Sequence, residues 1–250
     1  MKKLLCAATA DFITLDENML ARFEKFTDIM VDTNKSMNIT AITDPEGIAL
    51  KHYADSLSLI STGLFTDGKK VCDIGCGGGF PGIPMKIALP GVHFHMIDST
   101  EKKINYLKNT AAALELKNID FTAARAEELT KNGAKINLRE KYDIATARAV
   151  ARLNVLCELC LPFVKVGGYF LAMKGAKAQE EADEAKNAVT SLGGKIAEIK
   201  KIEFNLPDYE DNPAVREFVT AERYIIMIEK TKKTPPQYPR AYAAITKKPL

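Results

Sequence analysis

The residues whose types and spacing can do chemistry concentrate in one loop, Asp73-Ile74-Gly75-Cys76-Gly77-Gly78-Gly79. An apolar run ends at Asp73. Glycines at 75, 77 and 79 then let the backbone turn sharply and approach a ligand closely. A helix would start near Pro81, where proline is tolerated, and its first amides could hold a carboxylate. A triphosphate-binding loop needs Gly-Lys-Ser/Thr after the glycines. Here Gly79 is followed by Phe80-Pro81, which sets a nucleoside triphosphatase aside.

A dinucleotide remains open, because Gly77 to Gly82 also fits Gly-x-Gly-x-x-Gly. Asp73 tips the choice towards S-adenosylmethionine. An acid before the loop suits the amino group of the methionine moiety, whereas a phosphate loop has little use for an anion there. A second strand ends at Asp98, which can accept both ribose hydroxyls or, alternatively, cap the next helix with Ser99. A third is followed by Arg125-Ala126-Glu127, at the place where an adenine edge is contacted. The same three residues also read as the first turn of a surface helix.

Acceptor chemistry belongs after the fourth strand, in Thr146-Ala147-Arg148-Ala149. There is no Asn-Pro-Pro-Tyr for an exocyclic amine and no Pro-Cys for a pyrimidine adduct. Lys174 leaves room for a 2′-hydroxyl acceptor, which must lose a proton. Guanine N7 carries a free lone pair and needs only placement. No residue is assigned as catalytic, and Arg148 is the positioning candidate.

These residues need a frame. Residues 1–65 read as helical, with Leu15, Met19, Phe23, Phe26, Ile29 and Met30 at helical spacing. Asp44-Pro45-Glu46 reads as a helix start that carries Ala49, Tyr53, Leu57 and Ile60 inward and puts His52 beside Asp55. From residue 69 strands and helices alternate. Strands are predicted at Lys70–Ile74, Val92–Asp98, Ile119–Ala123, Tyr142–Thr146 and Tyr169–Lys174, with helices at Glu101–Leu116 and Arg152–Val164. This order predicts an α/β fold with a doubly wound, Rossmann-like parallel sheet under an N-terminal helical cap. A helix at Gln179–Leu192 and two late strands, Lys195–Phe204 and Tyr224–Glu229, would complete it, the pair antiparallel. The predicted divisions are 1–65, 66–230 and a basic tail at 231–250, whose prolines oppose regular helix.

The bulk properties are those of a globular chain: 250 residues, 46% hydrophobic, 27% charged, formal net charge +3. The odd cysteine count, five, and the absence of a leader or membrane span predict a reducing, cytoplasmic setting. No Cys/His set has the spacing of a zinc site, so no metal is expected, and the chain is expected to act as a monomer. Cys157 and Cys160 sit in an apolar helical stretch and read as core. His93 and His95 read as ordinary strand residues. Six cations near the end of the chain, with Tyr238 and Tyr242 among them, suit an RNA backbone and unstacked bases, or a solvated terminus.

The motifs together resemble one family. Asn38-Ile39-Thr40-Ala41-Ile42, His52-Tyr53-Ala54-Asp55-Ser56-Leu57, the glycine loop continuing into Phe80-Pro81-Gly82-Ile83-Pro84, Asp98-Ser99 with Lys102-Lys103, Arg125-Ala126-Glu127, Thr146-Ala147-Arg148-Ala149-Val150, Lys174-Gly175 and the tail from Pro235 to Leu250 are similar to the bacterial 16S ribosomal RNA guanine-N7 methyltransferases, the glucose-inhibited division protein B family. The resemblance implies methylation of a guanine in the decoding-region hairpin of small-subunit RNA, free or in an assembling 30S particle. It implies S-adenosylmethionine contacts at Gly75, Phe80, Ala126, Glu127 and Arg148, to which the loop reading adds Asp73, Gly77 and Asp98. It implies an RNA surface at His52, Arg125, Lys174, Arg223 and Arg240, to which the basic tail adds Lys247. The tail departs from the family pattern at Ala241-Tyr242-Ala243-Ala244-Ile245. The competing readings are a ribose 2′-O-methyltransferase, a nicotinamide-dependent oxidoreductase and a nonenzymatic RNA-binding protein.

Overall fold

The computed structural model describes residues 1–148 and 151–250. Ala149 and Val150 of the Thr146–Val150 motif therefore lie outside the described residues. Seven strands form one sheet in the order β3-β2-β1-β4-β5-β7-β6. They are β1 (Lys70–Ile74), β2 (His93–Asp98), β3 (Ile119–Ala123), β4 (Tyr142–Arg148), β5 (Val164–Lys174), β6 (Gly194–Ile202) and β7 (Arg223–Lys230). The first five run parallel, and β7 is antiparallel to both β5 and β6. The strand order reverses between β1 and β4. Such a switch point opens a crevice at the carboxyl ends of the strands.

Two apolar layers cover the sheet. On one face the N-terminal helices deliver Phe23, Phe26, Met30, Ile48 and Tyr53, packed with Phe94, Met96 and Leu171. On the other, Leu153–Cys160 delivers Leu156, Cys157 and Cys160 against Ala145, Phe170 and Ile226. The Glu17–Met37 helix starts where Asp16 accepts the Met19 amide at 2.8 Å, a side-chain cap on an otherwise unpaired donor. Asp44 does the same for Gly47 at 2.6 Å.

Four expectations change. The helix after Asp44 is not regular α-helix: Ile48–Ala54 is π-helical. The wider turn separates His52 from Asp55, because residues three apart no longer share a face. The Gln179–Leu192 helix breaks at Ala185 into Ala178–Glu184 and Lys186–Ser191. Strand β5 begins at Val164, five residues before Tyr169, and runs through Gly167-Gly168. The tail does contain helix, Tyr242–Lys247, because Pro239 precedes it and Pro249 follows it. That helix buries Ile245 completely against the second apolar layer.

Candidate functional site

The crevice holds a cavity of about 490 Å³. Its floor is the glycine loop. Gly75 and Gly77 have φ of 70° and 52°, left-handed values that cost a residue with a Cβ. Gly78 has no room for a side chain, since a Cβ there would meet Ile39 Cγ2 at 2.6 Å. The Asn38–Ile42 segment thereby lies across the loop. Asn34 holds that segment, accepting the Ile39 and Thr40 amides at 2.6 and 2.9 Å and donating to the Thr40 carbonyl.

Asp98 ends β2 in the cavity wall. One carboxylate oxygen accepts the Gly77 amide at 3.0 Å and the other the Thr100 amide at 2.8 Å. It thus fastens the loop to the strand end while facing the cavity. Ala126 and Glu127 follow β3 and line the same wall. Glu127 is 4% exposed and forms no ion pair among the described residues. Burial raises its pKa, with its own amide and Arg125 acting the other way. A buried acceptor without a cation suits the hydroxyl and amino donors of a nucleoside. Asp98, Glu127 and the glycine backbone therefore fit an S-adenosyl ligand.

Asp73 does not line the cavity. It is wholly buried beneath the floor, where its carboxyl accepts the Gly82 amide at 3.0 Å and the Thr146 hydroxyl at 3.3 Å. Burial raises its pKa to about 7. Asp73 occupies the start of the Gly82–Ala88 helix, so the expected ligand carboxylate there is replaced by an internal one. The short apolar strand before it explains why: its side chain alternates to the covered face of β1.

A second cavity, about 520 Å³, adjoins the first and is lined by Lys51, Asp55, Met173, Lys174, Glu181 and Arg223. The two share His52 and Arg148. Phe80 anchors this shared wall. It is 7% exposed, with the His52 ring stacked on it at 4.3 Å and the Arg148 guanidinium 5.0 Å from its centroid. Phe80 belongs to the core as well as to the cavity. Arg148 donates to Asp55 at 2.9 Å, and Arg223 Nε lies 3.2 Å from the other oxygen of the same carboxylate. The Arg223 guanidinium also covers the Phe218 ring at 3.9 Å.

The His52 ring does not meet Asp55. Its Nε2 lies 2.7 Å from the Thr40 hydroxyl, and its Nδ1 is buried without a partner among the described residues. Burial, reinforced by the Arg148 charge, lowers its pKa to about 4, so the ring is neutral at pH 7.

The remaining expected RNA residues separate. Lys174 lines the second cavity but donates to Glu181 and to the Ala151 carbonyl, both at 2.7 Å. Arg125 lines the first cavity beneath Tyr242. Arg240 is committed inward: its guanidinium meets both oxygens of buried Glu158 at 2.6–3.1 Å and donates to the Lys248 carbonyl. Its placement on an RNA surface is corrected to a clasp, because a nearly inaccessible carboxylate needs a cation. Lys247 is exposed on the tail helix. Asp55, Glu181 and Tyr242 are the residues that spacing did not assign. Only the His52–Asp55 motif signalled the first.

A family model described as rRNA small subunit methyltransferase G matches residues 19–207. Proteins named ribosomal RNA small subunit methyltransferase G are similar throughout. The one from Lysinibacillus sphaericus is 43% identical over 95% of this chain and 94% of its own. The one from Lachnoclostridium phytofermentans is 45% identical over 94% and 91%. Among solved structures, M. jannaschii TYW2 in complex with AdoMet superposes with a TM-score of 0.53 at 14% identity, over 76% of this chain and 79% of that one. A SAM-dependent methyltransferase from Aquifex aeolicus gives 0.50 at 18% identity, over 74% and 93%. At such identities these two speak for the fold alone. The sequence match over nearly its whole length makes the chain a member of the rRNA small subunit methyltransferase G family.

Proposed function

We propose that this protein transfers a methyl group from S-adenosylmethionine to N7 of a guanine in the decoding-region hairpin of small-subunit ribosomal RNA. The observation that carries the reading is the pair of cavities meeting at His52 and Arg148. The glycine-loop cavity would hold the cofactor through Asp98, Glu127 and the loop backbone. The cofactor supplies an electrophilic methyl group on a sulfonium. The second cavity would admit the base.

The residues at the junction suit an acceptor that brings its own lone pair. Guanine N7 has no proton to lose, so in-line displacement requires distance and angle rather than a base. Arg148, fixed by Asp55 and Phe80, is a rigid donor for a guanine edge. Neutral His52 adds no positive charge beside a base that becomes cationic on methylation. Lys174, the group a 2′-hydroxyl acceptor would require, is held by Glu181 and a carbonyl.

Cations around the second cavity (Lys51, Arg223, Lys174) support an RNA partner, either free RNA or an assembling 30S particle. We place the protein in the cytoplasm as a monomer. No helix of the described residues is long and apolar enough to cross a membrane.

The test is incubation of unmethylated small subunits and of naked RNA with protein and labelled S-adenosylmethionine, followed by nuclease digestion and mass spectrometry. A single 7-methylguanosine is expected. A ribose-methylated nucleoside, or binding of NADH in place of S-adenosylmethionine, would overturn the reading. Arg148→Leu is expected to lower kcat/KM by about a hundredfold or more, the scale for a lost positioning contact.

A further inference from the structure

The glycine-loop cavity is walled by residues from Ile39 to Leu159, with one exception from the far end of the chain, Tyr242. The Arg125 guanidinium lies 4.9 Å from the centroid of its ring. Tyr242 is 40% exposed, although the tail around it is pinned to the core at several points. Arg240 clasps Glu158, Ile245 is buried, and Arg139 donates to the carbonyls of Thr234, Pro235 and Tyr238. The docking therefore does not depend on Tyr242, and its aromatic surface is presented to the cavity from an anchored support.

We propose that Tyr242, steadied by Arg125, is a cofactor-retention residue at the nucleoside end of this cavity. The proposal rests on the reading that the cavity takes S-adenosylmethionine. Arg125 directly precedes Ala126-Glu127, which line the cavity together with Asp98, and these groups mark the nucleoside end. A phenol ring there supplies apolar, polarisable surface to a purine and removes water from its acceptors. Arg125 on the ring limits its freedom before the ligand arrives, so less ordering remains to be done on binding.

Calorimetry on the full chain tests this, with S-adenosylhomocysteine and methylthioadenosine as probes. Tyr242→Ala is expected to weaken both by about tenfold, and Tyr242→Phe to stay within about twofold of the parent. Arg125→Ala should reproduce part of the loss and add nothing in the Tyr242→Ala background. Trypsin digestion checks that the tail stays docked. Should alanine free it, Tyr242→Leu keeps an apolar anchor and is expected to show the same loss. Unchanged affinity in the docked variant would overturn the proposal. So would a loss confined to S-adenosylhomocysteine, which would put the tyrosine at the amino-acid end. A parent chain that binds neither probe would overturn the reading of the cavity itself.

Discussion

His52 shows how a residue's surroundings set its chemistry. Its ring is stacked on Phe80, near the Arg148 charge and withdrawn from water, and its pKa falls from 6.5 to about 4. NMR titration of the ring protons is expected to give a midpoint near 4. Replacing Arg148 by leucine should raise that midpoint while leaving it below 6.5, since burial is the larger cause. The sign for stability follows. Above pH 6.5 the ring is neutral in both folded and unfolded chains. Between 6.5 and 4 only the unfolded chain takes up the proton, so stability falls as the pH falls through that window. The contribution is about 3 kcal/mol at most. A His52→Gln variant should lose that part of the slope in urea melts recorded from pH 7 to 4.5. The neighbouring pair teaches a limit of sequence reading. His52 and Asp55 are near in sequence, yet they take partners from afar. Asp55 joins Arg148 and Arg223, and those separations have no periodic signature.

Elements were more legible than contacts. Alternating apolar runs located all seven strands, because each is buried or half-buried across much of its length and bounded by turn residues. Ends at Ile74, Asp98 and Ala123 fell as expected. The π-helical Ile48–Ala54 left no such mark, since its apolar residues also fit an α-helix. Asp73 was misplaced for a related reason. Its position before the loop was visible, but the covered face to which its side chain turns was not. The glycine after the loop now has a firmer role. A Cβ at Gly82 would collide with the Met96 side chain and sit 2.8 Å from Asp73 Oδ2. Gly82→Ala should destabilise the fold by about 1–3 kcal/mol, measured by denaturant unfolding, as expected for overpacking at a buried contact. Gly77→Ala meets nothing nearer than the Gly75 carbonyl at 3.8 Å. Its penalty arises from the left-handed φ and should be smaller, about 1 kcal/mol.

At the scale of the whole molecule the tail is the surprise. Its basic, proline-rich composition suited an RNA contact or a solvated terminus, and composition says nothing of a buried acid waiting elsewhere. Glu158 lies in the apolar Leu153–Cys160 helix with its side chain 1% exposed, and Arg240 is its partner. Arg240→Ala strands that carboxylate, at a cost of about 3 kcal/mol if the tail stays docked. The alternative is release of the tail, so trypsin should cut the variant after Lys247 well before the parent. A tail equally resistant in both, with unchanged stability, would refute the clasp. The docked tail also returns from β7 to the end of β3, across the switch point of the sheet.

That return path sets an order in time. A ribosome making this chain lays down the glycine loop, the acid at the end of β2 and the junction arginine long before it reaches Tyr242. A nascent chain paused beyond β5 thus carries the residues of the floor and most walls of the glycine-loop cavity, yet lacks the last one. If Tyr242 retains the nucleoside as proposed, the grip on the methyl donor matures only as synthesis nears completion.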